Sequence, residues 1–195
     1  MDLLFLIILG GLWGSFANVC IVRMPKDKGV VSGRSNCPKC KKQISWKDNI
    51  PIISYFLLGG KCRKCKKPIS FRYVVVELLS IISFVLIYYL FALSWTTLLL
   101  IILSLGFIII FFIDLEHFII PNLVTFPLIA IGFLKSFIPD LDPIFPNYVM
   151  SLIGGIFGYG IIWAIIFFYK QVKNKEGMGL GLSLIHISEP TRPVP

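Results

Sequence analysis

The chain has 195 residues, 56% of them hydrophobic, with a mean hydropathy of +0.85. That excludes an ordinary soluble domain and points to a polytopic membrane protein. The net charge of +9 is uneven: residues 23–72 carry fourteen Lys and Arg against two acids, Asp27 and Asp48, so the rest of the chain is slightly acidic.

A basic block can signal nucleic-acid binding. No nucleic-acid motif accompanies it here, and no such partner is expected. Lying between apolar segments, it reads as a cytoplasmic loop under the positive-inside rule. Anionic lipid headgroups are its natural counterpart.

The first apolar segment runs from Asp2 to Val22, close to the ~20 residues that cross a bilayer. A cleaved signal peptide is the competing reading. But no Lys or Arg precedes the segment, and Arg23 follows it. That favours a retained helix with its N-terminus outside. Gly10, Gly11, Gly14, Ser15 and Ala17 offer small surfaces on which a second helix can pack. Cys20, inside this helix, reads as a buried apolar residue.

Residues 23–73 form a polar insert with its own cysteine framework. Cys37 and Cys40 make one C-x-x-C pair and Cys62 and Cys65 another, with twenty-one residues between them. Four thiolates so spaced suit a tetrahedral structural zinc site. Nearby Lys and Arg favour the thiolate form. Disulfides are the rival reading, disfavoured in a reducing cytoplasm.

A second span is expected over Tyr73–Leu93, with Glu77 one turn in and read as interfacial. Trp95 suits the outer aromatic belt. Thr96 to Ile113 returns inward and delivers Asp114 at the water boundary. A carboxylate there is a functional hypothesis, against the alternative of a helix-end cap. Because it opposes the helix dipole, its placement carries a cost. Pro121 opens the next apolar segment, Leu123–Ile138, where Lys135 can snorkel. The loop 139–146 holds acids and prolines, and Tyr148–Tyr169 leads back to Lys170, Lys173 and Lys175. The charges agree on an outside N-terminus, about five crossings and Asp114 on the cytoplasmic side. The expected fold is therefore all-α, a polytopic membrane helix bundle with a small cytoplasmic zinc-binding loop.

Taken together, these residues resemble the type IV prepilin peptidases, membrane aspartic proteases of the A24 type. Gly14-Ser-Phe-Ala-Asn18 and Arg23-Met-Pro25 look like that family's opening. Its cytoplasmic zinc loop is matched by Trp46-Lys-Asp-Asn-Ile-Pro-Ile-Ile-Ser-Tyr55 between the C-x-x-C pairs, then by Ile69-Ser-Phe-Arg-Tyr73 and Glu77. Asp114-Leu-Glu-His-Phe-Ile-Ile-Pro121 resembles its first aspartate motif, with Asn122 where many members have Asp. The second motif is Gly-x-Gly-Asp. Gly177-Met-Gly-Leu-Gly181 matches its start, but Leu182 stands in place of the catalytic Asp.

The resemblance implies an aspartic endopeptidase of the bacterial inner membrane. Its active site would face the cytoplasm and cleave the leader of type IV prepilins or pseudopilins. Asp114 would be one member of the catalytic pair. The cysteine loop accompanies the bifunctional members, which also N-methylate the new terminus with S-adenosylmethionine. Four parts are expected: a first transmembrane helix (1–22), a cytoplasmic zinc loop associated with the methyltransferase (23–73), an incomplete peptidase membrane domain (74–181) and, from a separate resemblance of the tail, a non-native segment (182–195).

Leu182 to Arg192 resembles one reading frame of a transposase mosaic-end sequencing adaptor. The expectation is that the frame ran from a genuine gene into adaptor DNA, so His186 and Glu189 receive no role. Prepilin leaders are basic, so the loop would repel them, whereas Asp114 and Glu116 could face them. The alternatives are a non-catalytic zinc-ribbon membrane scaffold for pilus or secretion assembly and, disfavoured by nearly uncharged spans, a transporter.

Overall fold

A computed structural model of the chain describes residues 2–30, 35–37, 39–137 and 148–173. The loop 139–146, the glycine motif 177–181, Leu182 and the tail that follows lie outside the described residues. The elements are α1 (Asp2–Arg23), a 3-10 turn (Met24–Lys26), a second 3-10 turn (Trp46–Asn49), α2 (Ile53–Leu57), α3 (Arg72–Phe91), α4 (Trp95–His117), α5 (Asn122–Ser136) and α6 (Tyr148–Lys173). Among the described residues there is no strand, only the isolated bridges Asn36–Gln43 and Lys61–Pro68.

Among the described residues, three helical stretches are long and apolar enough to cross a membrane: Leu3–Lys26, Arg72–Phe91 and Trp95–His117. Of the two further apolar helices, α5 is shorter, whereas α6 has 26 residues, with an apolar stretch at Tyr148–Ile161 among those described. With 15 residues, α5 is about 22 Å long, against a hydrocarbon layer of ~30 Å. Of the about five crossings read from the sequence, three thus meet a helix long and apolar enough to span among the described residues.

The chain divides into two compact units, Met1–His117 with Pro121–Leu128, and Phe118–Ile120 with Ile129–Pro195. In the first, α1 and α3 pack through small residues, as the glycines predict. A Cβ on Gly10 would sit 2.8 Å from the Ile81 Cα, and one on Gly14 2.7 Å from the Glu77 Cα. One turn further, the Asn18 Nδ2 donates to the Tyr73 carbonyl at 3.0 Å. Gly-x-x-x-Gly-x-x-x-Asn on α1 therefore runs antiparallel to Tyr73, Glu77 and Ile81 on α3. In lipid, where apolar burial gives little net gain, such close backbone approach is what holds helices together. Gly14→Ala is expected to destabilise the fold by roughly 1–3 kcal/mol through overpacking, read as a lower unfolding midpoint in detergent. Gly132, with nothing within 4 Å of its Cβ position, should tolerate the same change.

The turn between α3 and α4 is tied by Ser94, whose Oγ accepts the Thr97 N–H at 3.2 Å and so caps α4. Ala17, Cys20 and Ile21 of α1, Val76 of α3, and Leu105, Ile109, Phe112 and Ile113 of α4 form the core. Cys20 is buried, as expected. Phe118, at φ 55°, ends α4. The Pro121 carbonyl then accepts the N–H groups of Val124 and Thr125 at 3.0 and 3.1 Å and starts α5.

Candidate functional site

The two cysteine pairs are brought together by a repeat. Cys37-Pro-Lys-Cys-Lys-Lys-Gln-Ile-Ser45 and Cys62-Arg-Lys-Cys-Lys-Lys-Pro-Ile-Ser70 share most of their residues. Their backbones bond in the same way. Cys37 N–H donates to the Lys42 carbonyl and Cys62 N–H to that of Lys67, both at 3.0 Å. Lys41 N–H returns to Cys37 at 2.8 Å and Lys66 N–H to Cys62 at 2.9 Å. Lys41 and Lys66 occupy the left-handed region at φ 57° and 58°, turning each loop back on its first cysteine.

All four Sγ atoms, of Cys37, Cys40, Cys62 and Cys65, lie within 4.8 Å of one another, and those of Cys37 and Cys65 are 3.9 Å apart. Zn–S bonds of ~2.3 Å in a tetrahedron place sulfurs about 3.8 Å apart, so the donor set fits zinc. The cysteines are free thiols. Backbone N–H groups, first that of Cys65 and then that of Lys64, pull the Cys62 thiol down to about 6. The Cys40 N–H likewise lowers Cys37. The Lys67 N–H also draws Cys65 down, but burial and bonds from the other thiols carry it up to about 11. Four crowded thiolates resist ionising together, and a dication relieves that resistance.

Asp114 lies on the last turn of α4, exposed, directly after Ile113, which is fully buried. The helix runs on to His117, so Asp114 sits on the helix rather than just beyond it. Packing of Ile113 fixes where the carboxylate emerges. Two residues on, Glu116 pairs with the Arg72 guanidinium at the start of α3. That joins the end of the cysteine loop to the aspartate segment, and it gives Glu116 a partner within the chain. The two side chains are 15% and 38% exposed, so solvent screens the pair. A double-mutant cycle of Arg72→Ala and Glu116→Ala is expected to give a coupling of about 1 kcal/mol or less in unfolding.

Glu77, read from sequence as interfacial, is 7% exposed and accepts the backbone N–H of Ile52 at 2.7 Å. Sequence reasoning missed this bond and the pairing of Arg72 with Glu116. The only signal was that Arg72 and Glu77 both belong to the family-like stretch. Leu182 lies outside the described residues, so the structure places one carboxylate of the expected pair.

Residues 8–91 match the bacterial peptidase A24 N-terminal domain and residues 100–181 the type IV leader peptidase family. A prepilin leader peptidase/N-methyltransferase of Vibrio cholerae is 36% identical over 93% of this chain and 74% of its own length. Similarly named proteins of Neisseria gonorrhoeae and Pseudomonas aeruginosa are 35% and 31% identical, over 89% and 90% of the chain and 68% and 67% of their own lengths. The chain belongs to the type IV leader peptidase family. No solved structure matches it. Within the family assignment, the N-terminal match spans most of α1, the cysteine loop and α3, and the peptidase match contains Asp114.

Proposed function

We propose that this sequence encodes a membrane aspartic endopeptidase that removes the leader of type IV prepilins or pseudopilins and N-methylates the exposed terminus. The observation that carries the reading is an exposed Asp114 at the end of a membrane-length helix, inside the segment matching the leader peptidase family. Names of the relatives, which join peptidase and N-methyltransferase, support the second activity. S-adenosylmethionine would supply the methyl group. Zinc, held by Cys37, Cys40, Cys62 and Cys65, would be structural.

The chemistry needs two carboxylates that share a proton. One acts as general base on a water, the other donates to the scissile carbonyl, and the roles exchange as the amine leaves. Asp114 supplies one. Leu182 holds the second position, and a hydrocarbon neither shares a proton nor donates one. As written, then, the chain should be an inactive peptidase. The topology proposed is five crossings of the bacterial inner membrane, with the N-terminus outside and the cysteine loop and Asp114 in the cytoplasm. The basic loop would face anionic headgroups. Leu182 alone favours a second reading, a non-catalytic zinc-ribbon scaffold for pilus or secretion assembly. A cleavage assay on a prepilin decides between them, comparing the chain with a version in which Gly181 is followed by Asp and a relative's continuation. Failure of that version to cleave would overturn the enzymatic reading.

A further inference from the structure

The cysteine loop contains one stretch unlike the rest of it. Ile50-Pro-Ile-Ile-Ser-Tyr-Phe-Leu-Leu-Gly-Gly60 has no charge, inside an insert otherwise dense in Lys and Arg. An apolar run of this length is too short to span and suits a buried or re-entrant segment.

Its position along the helices is the informative point. A Cβ on Gly11 would lie 3.2 Å from the Pro51 Cβ and 3.6 Å from the Ile81 Cδ1. Gly11 is twelve residues before Arg23, the last residue of α1, and so about 18 Å along the helix from that basic end at ~1.5 Å per residue. Glu77, bonded to Ile52, is five residues into α3, or about 8 Å from Arg72. Arg23 and Arg72 mark the water boundary on that side. The Pro51–Ile52 tip therefore lies about 8 Å inside the ~30 Å hydrocarbon layer measured from Arg72, and about 18 Å measured from Arg23.

A segment at that depth must satisfy its backbone internally, and most of the N–H groups here have partners within the chain. Pro51 has no N–H. Ile52 donates to Glu77. Ile53 donates to the Pro51 carbonyl at 2.5 Å, Ser54 to Ile50 at 3.1 Å, Phe56 to Ile52 at 3.3 Å and Leu58 to Ser54 at 3.0 Å. Ile52 is held at φ 61°, a costly region for a β-branched residue, in the conformation that presents its N–H to the Glu77 carboxylate. The outward side chains are apolar: Ile53, Phe56 and Leu57 are 57%, 66% and 80% exposed. The first charges on either side are Asp48 and Lys61, and Asp48 pairs with Arg63 at 2.7 Å.

We propose that residues 50–57 form a re-entrant hairpin, entering the bilayer from the basic face and presenting Ile53, Phe56 and Leu57 to lipid acyl chains. The proposal rests on the reading that α1 and α3 cross the membrane. It takes part of the loop out of the cytoplasm and fixes the metal knuckles to the membrane surface on the side of Asp114.

The test uses the full chain in bilayers containing phosphatidylcholine brominated at mid-chain. One form keeps Trp13 alone, with the other tryptophans changed to Phe. Another has all four native tryptophans changed to Phe and carries Phe56→Trp. The expected result is that the indole at position 56 emits at short wavelength, resists acrylamide, and loses intensity in brominated lipid comparably to Trp13. Quenching of Trp13 without quenching at 56, as for a docking face for a cytoplasmic protein, overturns the hairpin while leaving the spans intact. Absence of quenching at both overturns the span assignment as well as the hairpin. If Phe56→Trp does not fold, Leu57→Trp carries the same comparison.

Discussion

Asp114→Asn, made in a version of the chain whose Gly181 is followed by Asp and a relative's continuation, is expected to lower prepilin cleavage by on the order of 10³-fold or more. Asn keeps the size of the side chain and a hydrogen-bonding carbonyl, but it can neither take a proton from water nor hold the shared one. Folding should be little changed, because Asp114 is exposed and the packing at that turn is made by Ile113. The same substitution in the chain as written, with Leu182, should have almost no further effect. Two groups that work as a unit fail together when either is lost, so the second removal costs little. The measurement is the rate of leader removal, followed by the mobility shift of the processed prepilin, for the four combinations of residues at 114 and 182. Substantial turnover by the chain carrying Leu182 would show that Asp114 works without a partner there, and the shared-proton mechanism would be wrong.

Much of the architecture was legible because membrane helices announce themselves by length and hydropathy. α1, α3 and α4 fall where the apolar runs place them, and Gly10 and Gly14 pack against α3 as small residues should. The cysteine cluster was legible from spacing, because four thiols in two C-x-x-C pairs have few other uses. The contacts that join these parts were not. The bond from Ile52 to Glu77 spans twenty-five residues and depends on an unusual backbone angle that no propensity encodes. The pairing of Arg72 with Glu116 spans forty-four and joins two helices whose relative rotation is set by the core around Ile113. The exact repeat spacing of the knuckles was also present in the sequence, as shared Cys-x-Lys-Cys-Lys-Lys-x-Ile-Ser residues. Its meaning emerged only when the two sets of backbone bonds proved equivalent. The short helix α5, Asn122–Ser136, also falls close to the apolar run Leu123–Ile138, with Pro127 inside it.

Removal of metal is expected to unfold the two knuckles while leaving the helices that flank them in place. Outside the uncharged stretch 50–60, the loop is mostly charged and polar, and of its described residues there only Cys37 is buried. A segment with so little core gains little from apolar burial, and structural zinc bound by such ligands contributes on the order of 10 kcal/mol. The backbone bonds within each knuckle keep Lys41 and Lys66 in the left-handed region, a conformation that these residues give up readily once the sulfurs are released. Chelation of the purified protein should therefore make the amides of Cys37, Lys41, Cys62 and Lys66 exchange rapidly with solvent, whereas those in the middle of α1 and α3 should remain protected. Cys62→Ser should give the same exchange pattern without chelator and lower the bound zinc stoichiometry from about one per chain towards none. Chelation discriminates between metal and disulfide, since a disulfide framework would respond to reductant and not to chelator. Protection of the knuckle amides that survives complete metal removal would mean that hydrogen bonds alone hold the repeat, and the four cysteines would lose their assignment as ligands.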